Sequence, residues 1–239
     1  MVLLTSDVSG EFPPFSENMM TPKVRRSLLF REVDVLIDGG ANHGQYGLWA
    51  RECGFRGRII SFEPSSQAFT RLTEAARSDD KWDCHHLALG WRDGEVDLHL
   101  SHTSLGTSVF RPTAEHFRAW PEDVETGTER APMRSLSSLH DQLNLADQRV
   151  YLKLDVEGAE LSALRGAGTL LDQVSLIELE ISLVRLYQGA PIFEEVVSYL
   201  AERGFSAVAL EQNGGDEESS GQMLMIDGIF RSSMPASTD

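Results

Sequence analysis

The sequence predicts an α/β fold on a mostly parallel sheet, and three observations carry that prediction. From Asp34 onward, short apolar runs alternate with helical patterns. The first run, Val35-Leu36-Ile37, enters the glycine-rich turn Asp38-Gly39-Gly40-Ala41-Asn42-His43-Gly44. Three of the runs end in acids, at Asp38, Glu63 and Asp155.

Residues 1–33 form an N-terminal section, with a Pro- and Ser-containing tail followed by a helix from Pro22 to Phe30 capped by Thr21. After the glycine turn, Tyr46, Trp49, Ala50 and Cys53 recur at helical spacing until Gly54. Arg58 to Glu63 reads as the second strand, and Pro64-Ser65 opens a helix with Phe69, Leu72 and Ala76 on one face. A third strand is expected at Cys84–Leu89, a turn at Trp91–Gly94, and a strand through Val96, Leu98 and Leu100. Residues 101–134, rich in Ser, Thr, Pro and His, read as an insertion forming a binding loop or lid. An amphipathic helix follows over Ser135–Leu145, and then a strand over Val150–Leu154 ending in Asp155 and Glu157. Gly158 turns the chain into a further helix. Ser175–Ile181 is a strand with Glu178 and Glu180 on the same side, and Phe193 to Leu200 a helix. Phe205–Leu210 and Met223–Phe230 close the chain as a hairpin.

With 239 residues and 41% apolar content, the chain can bury one large core. No stretch is long enough to span a bilayer, and Met1–Leu4 is too short for a secretory signal core, so a cytoplasmic protein without a transmembrane segment is expected. Cys53 and Cys84 fit neither a disulfide framework nor a metal motif. A formal net charge of −16 disfavours nucleic acid as a partner, and Lys23, Arg25 and Arg26 read as one solvated helix face.

Glu63 lies 19 positions beyond Gly44, close to the roughly 20-residue offset at which a carboxylate meets the ribose of a bound nucleotide. Asn42 stands where the dinucleotide turn has its second glycine, which disfavours pyrophosphate and hence a nicotinamide oxidoreductase. S-adenosylmethionine has no phosphates and could use Asp38 for its ammonium group. The competing structural reading is an ordinary strand-to-helix turn with a solvated acid.

The chain resembles the FkbM family of S-adenosylmethionine-dependent methyltransferases. The resemblance rests on D-G-G-A-N-H-G-Q from Asp38, S-F-E-P from Ser61, A-L-G from Ala88, L-K-L-D-V-E-G-A-E from Leu152, E-L-E-I-S-L-V-R-L-Y-Q-G from Glu178 and D-G-I-F from Asp227. It implies a Rossmann-like class I methyltransferase fold, a seven-stranded, mostly parallel sheet with an antiparallel strand in the C-terminal hairpin. The methyltransferase domain would span 34–239, with the insertion at 101–134 choosing the acceptor. The implied activity is methyl transfer to a hydroxyl of a small molecule, a sugar, oligosaccharide or glycan precursor first and a polyketide or macrolide second. Asp38, Gly40, Asn42 and Gly44 would surround the methionine part of S-adenosylmethionine, Glu63 the ribose, and Ala88 with Leu89 the adenine, with Asp155 at the edge of the cofactor site.

An alcohol is a poor nucleophile while protonated, so a base or a metal should assist it. Asp155 is the first candidate for the base, with Glu180, Tyr187 and His43 behind it. The structural alternatives are a helix cap for Asp155, an ion pair for Glu180 and a pocket cover for His43. Asp155, Glu157 and Glu180 could hold a divalent cation such as magnesium. His85, His86, His99 and His102 read as surface or loop residues rather than zinc ligands. A non-catalytic cofactor-binding or scaffold protein is the reading from another class. Phe110, Phe117 and Trp120 suit sugar stacking, core packing or a homodimer contact equally.

Overall fold

The structure is a computed structural model and describes residues 20–216 and 220–233. The expected N-terminal tail and part of the acidic connection between the last two strands lie outside the described residues. Helix α1 (Pro22–Leu29) starts as expected, with the Thr21 side chain accepting from the Val24 N–H and proline in the first turn, and a 3₁₀ turn over Phe30–Glu32 follows. The chain then alternates through β1 (Val35–Gly39), α2 (Gln45–Glu52), β2 (Arg58–Phe62), α3 (Ser66–Ala76) and β3 (Trp82–His85). Next come β4 (Ala88–Leu89), β5 (Gly94–Ser101), α4 (Ala114–Ala119), β6 (Glu125–Arg134) and α5 (Leu136–Leu143). The last part holds β7 (Val150–Leu154), α6 (Glu160–Ala167), β8 (Val174–Ser182), α7 (Phe193–Ala201), β9 (Phe205–Asp216) and β10 (Gln222–Ser232).

Seven strands form the main sheet in the order β3-β2-β1-β7-β8-β10-β9. Neighbours from β3 through β8 run parallel, and β10 is antiparallel to both β8 and β9. Alternate strand residues supply two cores. Val35, Ile37, Ile60 and Leu152 face Leu139, Leu164 and Val196 from α5, α6 and α7. Leu36, Ile59 and Tyr151 face Leu29, Ala50 and Leu72 from α1, α2 and α3. The period-two alternation thus buries both faces, at roughly 1.5–3 kcal/mol for each large side chain. Strand order reverses beside β1, so a crevice opens at the carboxyl ends of β1 and β7. Among the described residues, no helix is long and apolar enough to cross a membrane.

Three expectations need correction. The third strand stops at His85, and Ala88–Leu89 leaves the main sheet to join a second one, ordered β4-β6-β5. The insertion is not merely a loop. It holds α4 and the ten-residue β6, which pairs antiparallel with β5. Pro132 and the polar run Glu125–Arg130 hide that strand from a periodicity argument. The proline is accommodated because β4 pairs with β6 only at Met133 and Arg134, which leaves one flank open at Pro132. Finally, Arg26 is not on a solvated face. It is 2% exposed and paired with Glu178 and Glu211, because a buried Glu178 requires a cation.

Candidate active site

The turn after β1 presses against the end of β7. Gly40 has φ +74°, and a Cβ there would strike the Asp155 carbonyl, so only glycine fits. Asn42 takes the left-handed conformation with φ 47°, which asparagine tolerates better than most residues, and its Oδ1 accepts from Ser104 Oγ at 3.3 Å. Glu63 follows β2, and its two oxygens accept separately, from the Asn42 N–H at 2.8 Å and the Ser65 N–H at 2.8 Å. Both oxygens keep capacity for a further donor.

These residues wall one cavity. Its lining includes Gly40, Asn42, Glu63, Ala88, Leu89 and Asp155, six of the eight positions expected to hold the cofactor. The other two lie outside that lining. Gly44 caps α2 and packs towards Leu72 and Ala75 of α3. Asp38 is fully buried, held by Lys153 Nζ at 3.2 Å and Ser61 Oγ at 3.2 Å, and does not line the cavity. Burial alone would lower the Lys153 ammonium, but Asp155, at 3.3 Å, and Asp38 outweigh it and hold the group charged. Sequence reasoning missed Lys153. Its signal was a lysine inside the apolar run Val150–Leu154, where a cation has to be paired.

A second cavity, of about 350 Å³, adjoins the first and shares Leu105, Asp155 and Glu157 with it. Asp155, Glu157 and Glu180 can bring one oxygen each within 4.8 Å of one another. Glu157 has φ 52°, a strained conformation for a non-glycine residue, and its carbonyl accepts from Ser108 Oγ at 2.6 Å. The next residue, Gly158, has φ +93° and lets α6 begin, as expected. Tyr187 donates to Glu157 Oε2 at 2.7 Å, and Asn213 Nδ2 to Glu180 Oε1 at 2.7 Å. Burial and the Asp155 charge push the carboxyls of Glu157 and Glu180 well above the usual range. Asp155, Glu180 and Tyr187 therefore meet at one cavity. His43 does not join them; it stands in the β1–α2 turn and lines neither cavity.

The insertion contributes more than the sequence indicated. Ser104, Leu105, Thr107, Ser108 and Val109 line the first cavity, while His116 and Trp120 line the second. His116 Nε2 lies 2.8 Å from Asp123, and its ring packs on Tyr187 with centroids 5.1 Å apart. Hydrogen bonds from His116, Ser101 and Thr103 overcome burial and hold Asp123 down at about 2. No local motif marks His116 or Asp123.

Several acids are displaced the other way. Burial raises Glu63 to about 7 despite its two N–H donors, Glu160 to about 7 and Asp227 to about 6. For each, the folded value lies above the unfolded one, so its stabilising contribution is complete below the ordinary carboxylate range and is lost as pH rises through 6 to 7. Each unit of upward shift corresponds to roughly 1.4 kcal/mol. Urea unfolding of the ligand-free protein is therefore expected to show a higher midpoint at about pH 5 than at pH 8. An equal or higher midpoint at pH 8 would mean that these carboxyls are not protonated in the fold.

A parallel sheet with one antiparallel strand, a glycine turn after β1 and a carboxylate after β2 define a Rossmann-like methyltransferase. Residues 38–207 match the methyltransferase FkbM domain, and the chain belongs to that family. It is therefore a methyltransferase dependent on S-adenosylmethionine. It is 25% identical over 189 residues to the 2-O-methyltransferase NoeI of Sinorhizobium fredii, covering 73% of this chain and 77% of that protein. Solved structures that resemble it include an rRNA methylase from Streptococcus thermophilus, at 10% identity and a TM-score of 0.49, covering 90% of this chain and 99% of the other. Another is the 1,6-didemethyltoxoflavin-N1-methyltransferase of Burkholderia thailandensis, whose structure holds S-adenosylhomocysteine. It is 8% identical with a TM-score of 0.46, and the match covers 89% of this chain and 78% of the other.

The residues present fit the cofactor. The carboxylate of Glu63 has an acceptor for each hydroxyl of a ribose, Ala88 and Leu89 offer an apolar wall, and Gly40 keeps the turn close to β7.

Proposed function

We propose that the protein transfers a methyl group to a hydroxyl of a sugar, oligosaccharide or glycan precursor. The observation that carries this reading is the second cavity, where Glu157, Glu180 and Tyr187 meet beside the expected cofactor site. Hydrogen-bond acceptors next to an aromatic wall, here Trp120, suit a hydroxylated ring. Similarity to a 2-O-methyltransferase supports an oxygen acceptor.

In this reading Gly40 and Asn42 border the methionine part, Glu63 accepts from the ribose hydroxyls, and Ala88 with Leu89 covers the adenine. The bound cofactor supplies an electrophilic methyl carbon. The protein's part is to hold the acceptor oxygen in line with it, exclude water and give the hydroxyl proton a destination. Asp155, already paired with Lys153, and Glu180, bonded to Asn213, are the groups proposed to receive or attract it. They could do so as bases or, with Glu157, as ligands of a hard cation. Calorimetric titration with Mg²⁺ separates the two: heat of binding lost in Glu180→Gln marks the cation, and no heat in wild type leaves the base.

The test of the reading begins with calorimetric titration of S-adenosylmethionine, with NAD as control, and continues with methylation assays on saccharides and macrolides. Methyl transfer to a saccharide hydroxyl is the expected result. Transfer to macrolides alone would move the substrate class, and cofactor binding without any transfer would favour a scaffold role.

A further inference from the structure

A third cavity, of about 330 Å³, lies across the strand ends from the second and shares Asp155, Glu180 and Asn213 with it. Its other walls include Lys153 and Leu154 of β7, together with Pro22 and Arg26 of α1, Tyr46 and Trp49 of α2, Glu178 of β8 and Asp227 of β10. Each of the two cavities falls at the lower end of the roughly 300–1,000 Å³ typical of small-ligand sites, room for one sugar-sized ring apiece.

The chemistry of this chamber suits a hydroxylated ring. Trp49 is only partly buried and stands edge-on to Tyr46, with ring centroids 5.6 Å apart, which provides an aromatic wall. Asn213 Nδ2 bridges Glu180 Oε1 at 2.7 Å and Asp227 Oδ1 at 3.0 Å, so two carboxylates and a carboxamide are held at the passage between chambers. The charge balance narrows the ligand. Five carboxylates and two cations line the chamber. Arg26 is paired with Glu178 and Glu211, and Lys153 with Asp38 and Asp155. Both cations lining the chamber are thus already committed, and Glu180 and Asp227 are bonded to a neutral donor, Asn213, so a uronate, sulfate or phosphate would find no uncommitted cation there.

We infer that the acceptor is an oligosaccharide spanning both chambers, with the methylated ring in the second cavity beside the bonded pair Glu157 and Tyr187 and an adjoining neutral or amine-bearing ring against Trp49. This rests on the sugar-methylation reading above and adds a subsite to it. The α1 helix, outside the matched family region of 38–207, thereby becomes part of acceptor recognition.

The experiment compares kcat/KM for a monosaccharide and for its neutral and uronate-containing disaccharides, in wild type, Trp49→Leu and Pro22→Trp. Pro22 is exposed at the start of α1, so the tryptophan narrows the chamber without touching the core. Wild type is expected to prefer the neutral disaccharide over the monosaccharide by about tenfold, with the uronate form disfavoured. Both variants should lose that preference while monosaccharide turnover and calorimetric cofactor affinity stay unchanged. A disaccharide preference that survives in Pro22→Trp, or none in wild type, overturns the subsite and leaves the sugar-methylation reading standing. A wild type that binds the cofactor and methylates no saccharide takes down both.

Discussion

Replacing Lys153 by methionine is expected to destabilise the fold by about 3–5 kcal/mol, the cost of removing one partner from a buried ion pair. The ammonium serves Asp38 at 3.2 Å and Asp155 at 3.3 Å, and reaches the Gly40 carbonyl at 3.4 Å. Asp38 is 0% exposed and has no water to fall back on, so without Lys153 it must take up a proton or remain an uncompensated charge. The loss should accordingly be smaller at pH 4 than at pH 8. Urea unfolding at the two values gives the comparison. A midpoint unaltered at pH 8 would show that the pair does not hold the sheet centre. Because the same lysine ties the β1 turn to the end of β7, the affinity for S-adenosylmethionine should fall as well, in protein that is still folded.

Glu63→Ala should have the largest effect on cofactor binding. Two backbone N–H groups orient its oxygens at the wall of the cavity. A hydrogen bond to a charged group is worth about 1.5–3 kcal/mol, so affinity is expected to fall at least about tenfold, and by more than a hundredfold if both ribose hydroxyls are held. Calorimetric titration measures this directly. The pH dependence gives a second signature. With Glu63 at about 7, wild-type affinity should decline as pH falls through that value and the carboxylate is protonated, and Glu63→Ala should lack this decline. Equal affinities for wild type and variant would move ribose recognition elsewhere.

Much of the site's framework was legible in the sequence. The apolar runs of β1, β2 and β7, the glycine turn and the acids at the strand ends are local features. Period-two burial, the stereochemistry at Gly40 and the direction of a strand decide them without reference to the rest of the chain. The motifs from Asp38 to Asp227 also carried the family and the antiparallel closing strand.

What tertiary structure alone decided was which acid does what. Asp38 and Glu63 look alike as residues that end apolar runs. Yet Asp38 lies opposite Lys153 on the neighbouring strand and is buried with it, while Glu63 lines the cavity. Glu178 and Glu180 are two apart on β8, but one is enclosed by Arg26, Tyr46 and Tyr151 and the other borders two cavities. Glu157 and Tyr187 are 30 residues apart and bonded, and His116 reaches them through an insertion with no motif of its own. Strand order and register set these convergences. A pattern read along one segment fixes where a side chain leaves the backbone, whereas its charge state and neighbours depend on which distant segment packs against it.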